Sequence, residues 1–358
     1  MTKVHLQRAL FGEKERAFLE ADGVEVSLFR YDTGLEAVRL GNRRGHVVVL
    51  PYLGQMVWDA SFDGVRLAMG HNYPAPRPAK VIVDTYGCLA FHSGLLRNGV
   101  PGPQDDHQLH GEFSCATLDS AALELGSDAE GAFVRLTGEY EYIMGFGAHY
   151  MARPSVTMRA DSSLFDIGMS VENRGGKPMD LMYMCHINLA FAENGHILQA
   201  APYTPENVAV RTAIPSFVQP TPEYRALIEQ LARDPGRMER LDPALSYDPE
   251  QVFYLNNLRR DAAGQTHVMM RRPDGDGFVV SYSPEEFPYP ARWLLRNADQ
   301  QVGAIALPST CHPEGYLAEK KAGHVRSIAP NGSARFRVRL GYLDRAAAGK
   351  MEATIRSL

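Results

Sequence analysis

With 358 residues, 45% of them hydrophobic, the chain can bury a large core, and all-β sandwiches of this size often form one unit. A formal net charge of −5 offers no broad basic field for nucleic acid or an anionic membrane surface, and no run approaches the roughly 18 apolar residues of a membrane span. Both kinds of partner are therefore not expected.

The first sixteen residues mix Lys3, Arg8, Glu13, Lys14, Glu15 and Arg16 without an apolar stretch of signal-peptide length. A soluble, cytoplasmic protein is the expectation. Cys88, Cys115, Cys185 and Cys311 contain no C-x-x-C pair, so they read as small buried residues in a reducing compartment rather than a zinc ribbon or disulfide scaffold.

Short strands are predicted at 24–28, 47–50 and 133–136. Phe165, Ile167, Met169 and Val171 then alternate with Asp166, Gly168 and Ser170, which predicts a strand with one apolar face. Asn173-Arg174-Gly175-Gly176 turns the chain into a further strand over 181–189.

One segment predicts a helix: Thr221 can cap it, Pro222 suits its first position, Leu227, Ile228 and Leu231 share a face, and Asp234-Pro235-Gly236 stops it. Its flanks, 201–220 and 237–250, are rich in Pro and charge. The whole therefore reads as an insertion on the β scaffold, its helical part at about 215–250: a plain surface excursion is favoured over a lid or an oligomer contact, and the helix's apolar face could serve a homodimer. Farther on, Pro273-Asp274-Gly275-Asp276-Gly277 predicts a hairpin into a strand over 278–282, and Phe336, Val338, Leu340 and Tyr342 alternate with Arg335, Arg337, Arg339 and Gly341 as a closing strand. With no internal repeat, residues 1–358 are expected to form a single, mostly β domain of stacked antiparallel sheets with one short helical insertion.

Reactive side chains gather in three places. A loop rich in Gly and Pro carries His92, Arg97, Asp105, Asp106, His107, His110 and Glu112, more imidazole, guanidinium and carboxylate than packing needs, although a solvated connection would also account for it. On the strand over 181–189, alternation puts His186 and Asn188 on one face. The third place, 304–320, runs from a strand through Leu307-Pro308-Ser309-Thr310 to His312, Glu314 and Glu319.

In this order, the three segments resemble the aldose 1-epimerase (galactose mutarotase-like) superfamily, in particular its uncharacterised bacterial branch. Leu109-His110-Gly111 matches the family's Leu-His-Gly, His186-Ile187-Asn188 its His-x-Asn strand, and 288–293, ending at Trp293, echoes a late Pro-x-x-Trp element. The resemblance implies a β-supersandwich that binds a free sugar in a cleft and exchanges its anomers by acid–base ring opening, without a cofactor. It further implies that His186 protonates the ring oxygen, that His110 polarises the same region, and that Arg97, His107, Asn188, Trp293 and Glu319 surround the sugar. The family's base glutamate precedes a proline, where this chain has Leu307. The base role is then expected to pass to Glu314, with Glu319 or His110 as further candidates.

Two other readings follow from the same residues. His107, His110, Glu112 and His186 could hold a divalent metal for isomerase, epimerase or lyase chemistry. Alternatively, a cleft that has lost its base could serve a non-catalytic sugar-binding protein.

Overall fold

The computed structural model describes residues 2–214 and 219–358. The first four positions of the expected insertion, 215–218, lie outside the described residues. Every strand pair is antiparallel, in two nine-stranded sheets and one of four strands. The first sheet runs in space through Thr2–Leu6, Ser120–Asp128, Gly131–Ile143, His149–Arg159, Leu164–Asn173, Ser333–Leu343, Gly277–Tyr282, Thr266–Arg271 and His196–Gln199. The second runs through Arg16–Ala21, Val24–Arg30, Glu36–Asn42, Gly45–Leu50, Met56–Phe62, Ala90–Leu95, Met179–Ile187 and Arg326–Ile328, with Val65–Arg66 beside Met56–Phe62. Val208–Val210, Tyr247–Leu255, Ala291–Arg296 and Gln301–Leu307 make the third.

Alternation explains which faces meet. Phe165, Ile167, Met169 and Val171 are all buried, opposite Leu340, Val338, Phe336 and Ala334 of the neighbouring strand. On the other face, Asp166 accepts from Arg337 at 2.7 Å and Arg339 at 2.8 Å. Phe165 stacks on Phe62 of the second sheet, ring centroids 6.3 Å apart, so the apolar faces of the two large sheets share one core. The predicted hairpin forms with Arg271 opposite Gly277, and Gly275 supplies the left-handed residue (φ +87°) that its turn needs.

The predicted helix is α1, Pro222–Arg233, with the Thr221 hydroxyl accepting from the Tyr224 N–H at 3.2 Å. Ile228 and Leu231 are buried, and Leu227 packs on the same core. That face is occupied within its own chain, which corrects the expectation that it offers a dimer contact. Two further helices, α2 (Tyr316–Ala322) and α3 (Arg345–Ser357), were not foreseen. Each buries too little for a clear stripe: Glu319 alone in α2, and Ala348 and Ile355 in α3. All four cysteines are buried and unpaired. Among the described residues no helix is long and apolar enough to cross a membrane.

Because Phe165 joins the two large sheets, Phe165→Ala should lower unfolding stability by about 3–5 kcal/mol, the usual cost of an emptied aromatic site. Urea denaturation of the two proteins checks this.

Candidate functional site

A cleft of about 430 Å³ opens where the second sheet meets the four-stranded one, and His110, His186, Tyr86, Trp293, Glu250 and Arg211 contribute to its lining. The strand Ala90–Leu95 pairs with Met179–Ile187 so that Phe91 stands opposite His186 and Ser93 opposite Met184. Phe91 stacks on the His186 ring at 4.5 Å, while His92, one residue on, bonds Tyr183 at 2.8 Å and is absent from the cleft lining. Period-two alternation thus divides the neighbouring side chains between two environments.

His110 arrives from the loop. Its backbone is left-handed (φ +61°), an arrangement costing about 1–3 kcal/mol for a residue with a side chain. Hydrogen bonds from the His110 N–H to the Gly99 carbonyl and from the Gly94 N–H to the His110 carbonyl, both 3.0 Å, hold it there. Gly111 follows, also left-handed, and a Cβ at that position would lie 2.0 Å from the Arg97 carbonyl oxygen. The His-Gly pair is therefore a requirement of backbone space as well as chemistry.

The hydrogen bonds determine the form of both rings. Asn188 donates to the Cys88 carbonyl at 3.0 Å, which leaves its Oδ1 to accept from His186 Nδ1 at 2.9 Å. The Ser93 hydroxyl donates to carbonyl oxygens of Asn98 and His110, so it accepts from His110 Nδ1 at 3.0 Å. Each imidazole is then protonated on Nδ1 and carries its lone pair on Nε2. His186 Nε2 accepts from the Tyr86 hydroxyl at 3.2 Å. The rings meet edge to face at 4.9 Å. Burial, with the neighbouring His107, pulls His110 down to about 3. Burial and then His110 push His186 well below the ordinary imidazole range, against the opposing bond to Asn188.

The opposite wall comes from the insertion and its flanks, so this segment is part of the cleft rather than the plain surface excursion favoured by its sequence. Arg211 and Glu250 both line the cleft. Pairing of Tyr247–Leu255 with Ala291–Arg296 shifts register between Tyr247 and Gln251, a bulge that re-aims the strand beside Glu250. The Glu250 carboxylate accepts from the Trp293 indole N–H at 2.9 Å. Burial raises its pKa, Arg211 and Trp293 oppose the rise, and Glu314 adds to it. Glu314 stands behind this wall, 2.9 Å from Arg211 and bonded to the Tyr254 hydroxyl. Leu307 also lines the cleft, at the end of its strand opposite Ala291.

The remaining expected residues are engaged elsewhere. The Arg97 guanidinium lies 3.6 Å over the Tyr316 ring. His107 donates from Nδ1 to the Gln108 carbonyl and accepts from the Tyr316 N–H at Nε2, at 2.9 and 3.4 Å. Glu112 Oε1 accepts from the Leu95 and Leu96 N–H groups and the Tyr150 hydroxyl, all within 2.9 Å. Glu319 bonds His324 and the His312 N–H. None of these four lines the cleft, and with His107 and Glu112 so occupied the alternative metal grouping of His107, His110, Glu112 and His186 is not assembled among the described residues. Sequence alone missed Glu250, Arg211 and Tyr86. The signal for Glu250 was slight: a carboxylate placed just before the alternating run from Gln251 to Leu255.

His92, likewise held to about 3 by burial, His110 and His186 share one consequence. Each is neutral when folded and gains a proton near pH 6.5 when unfolded, so stability is full above pH 6.5 and is lost as pH falls below it. Each imidazole should remove up to about 1.4 kcal/mol per pH unit across that window. Urea denaturation at pH 7.5 and 5.5, compared between the parent and His110→Gln, checks the sign and size.

The sequence matches, over residues 32–342, a family model described as a domain of unknown function, DUF4432. No curated protein matches it. Among solved structures, one from Klebsiella pneumoniae, named provisionally as an aldose 1-epimerase, is 15% identical, with 99% of this chain and 95% of that one covered at a TM-score of 0.78. A galactose mutarotase-like protein from Clostridium acetobutylicum is 14% identical, with 87% and 96% covered at a TM-score of 0.56. At such identities the likeness establishes the fold. The chain therefore belongs to the DUF4432 family and has the galactose mutarotase-like fold that its motifs resemble.

Proposed function

We propose that this protein binds a neutral, free pyranose in the cleft and interconverts its anomers by acid–base ring opening. The observation that carries the reading is one cleft lined by two neutral imidazoles, a carboxyl group shifted toward its protonated form and an indole. An aromatic face suits the C–H face of a sugar ring, and polar groups around it suit the hydroxyls. The cleft's cation, Arg211, lies 2.9 Å from Glu314, so its charge is already offset and an anionic sugar gains little there.

The environments divide the labour in the opposite sense to the family expectation for His186. Burial keeps His186 neutral, so that it can accept a proton, and shifts Glu250 toward its acid form. The anomeric hydroxyl replaces the Tyr86 hydroxyl at His186 Nε2, which takes its proton while a protonated Glu250 donates one to the ring oxygen, and the bond from the anomeric carbon to that oxygen breaks. The open aldehyde rotates about its bond to the next carbon. Closure on the other face returns both protons, so nothing is consumed and no cofactor is required. His110 Nε2 accepts from a sugar hydroxyl and orients the ring, and Leu307, at the family's base position, contributes an apolar wall.

His186→Ala and Glu250→Gln should each slow anomer exchange by about 10²-fold or more, the usual contribution of one acid or base, while Glu314→Gln should change it much less. Polarimetry of freshly dissolved α-aldoses measures the rate. A parent protein that binds aldoses but accelerates none of them would refute the catalytic reading in favour of a sugar-binding protein.

A further inference from the structure

A second cluster of potential ligands lies beyond the cleft lining. His312, Glu319 and His324 each bring one ligand atom, all within 4.8 Å of one another. The chain builds this around α2: His312 precedes the helix, Glu319 lies within it, and His324 follows Gly323, whose left-handed backbone (φ +78°) ends the helix and turns the chain back. The His324 N–H donates to the Glu319 carbonyl at 3.0 Å, and His324 Nδ1 lies 2.9 Å from Glu319 Oε2. Glu319 is only 3% exposed. Its Oε2 also accepts from the His312 N–H at 2.8 Å.

Both rings are held by stacking. Tyr254 lies on His312 and Tyr289 on His324, each with centroids 4.0 Å apart. Yet His312 Nε2 is buried with no hydrogen-bond partner. An orphaned buried nitrogen costs about 1–3 kcal/mol and calls for an ion or water beside it.

We propose that His312, Glu319 and His324 form a binding site for a divalent transition metal. Zinc matches best, because two imidazoles, one carboxylate and an open fourth position for water form a donor set it favours. The site shares no residue with the grouping of His107, His110, Glu112 and His186, and it does not depend on the sugar reading. Its role is structural. The ion would tie the residue before α2 to the residue after it, and the same loop carries Pro313, which lines the cleft and accepts from the Val100 N–H at 3.0 Å.

The test uses the full chain, stripped with a chelator and titrated separately with zinc chloride and cobalt chloride. The expected result is saturable binding of a single zinc per chain, a rise in Tm with zinc, and an intense visible cobalt band of a low-coordinate site. Glu319→Gln and His324→Ala should weaken zinc binding by at least roughly tenfold and abolish the Tm rise, with the metal-free fold checked by circular dichroism. Absence of saturable binding in the parent, or unchanged affinity in both variants, would overturn the proposal. Should the variants misfold, the parent's cobalt spectrum decides, since a weak band like that of hydrated cobalt also overturns it.

Discussion

An imidazole removed from water is stable only as the neutral base, and the one N–H it retains must then find an acceptor. His110 and His186 meet that condition side by side, and much of the surrounding structure serves it. Asn188 is turned by the Cys88 carbonyl so that its oxygen faces His186. Ser93 has its own proton engaged by carbonyl oxygens and so can accept from His110. The left-handed backbone at His110 and the missing side chain at Gly111 let the loop approach closely enough for that bond. Both lone pairs are consequently directed away from their Nδ1 supports, that of His186 toward the Tyr86 hydroxyl, and under the proposed function this fixed arrangement of bases is the kind of preorganisation that lowers a barrier.

Under the proposed function, the facing wall supplies the carboxyl that this chain lacks at the family's base position. Leucine at position 307 cannot exchange a proton, yet it retains its place in the lining. Two strands away, a bulge beside Glu250 brings a carboxyl to the Trp293 indole, in an environment that raises its pKa. A sheet permits such a transfer of role because adjacent strands present side chains to the same face, so a carboxyl from either can reach one cleft. The imidazole's lowered pKa keeps it neutral and the carboxyl's raised pKa brings it nearer to its protonated form, a pairing that suits the proposed exchange of protons with a neutral sugar.

What was legible in the sequence follows the range of each signal. Period-two alternation is local, and it placed the strands carrying Phe165 to Val171 and Phe336 to Tyr342 and put His186 and Asn188 on one face. Thr221 and Pro222 are likewise local signals, and they located the start of α1. Glu250 and Arg211 were not legible because their significance depends on strands brought together across about forty residues of sequence, and their segment is rich in proline and charge, as a surface excursion would be. Arg97 and Glu112 misled for a related reason: residue type marks a group able to bind a ligand, but their partners, the Tyr316 ring and the Leu95 and Leu96 N–H groups, come from the fold. The helix α3 lacked a signal because an Ala-rich helix that buries only Ala348 and Ile355 has almost no apolar stripe.

The most direct measurement is a crystal structure of the protein soaked with a neutral aldose. The account predicts the sugar stacked on Trp293, with its anomeric hydroxyl within hydrogen-bond reach of His186 Nε2 and its ring oxygen facing the Glu250 carboxyl. A sugar bound with its anomeric centre away from both groups, or an aldose seated outside this cleft, would contradict the central claim.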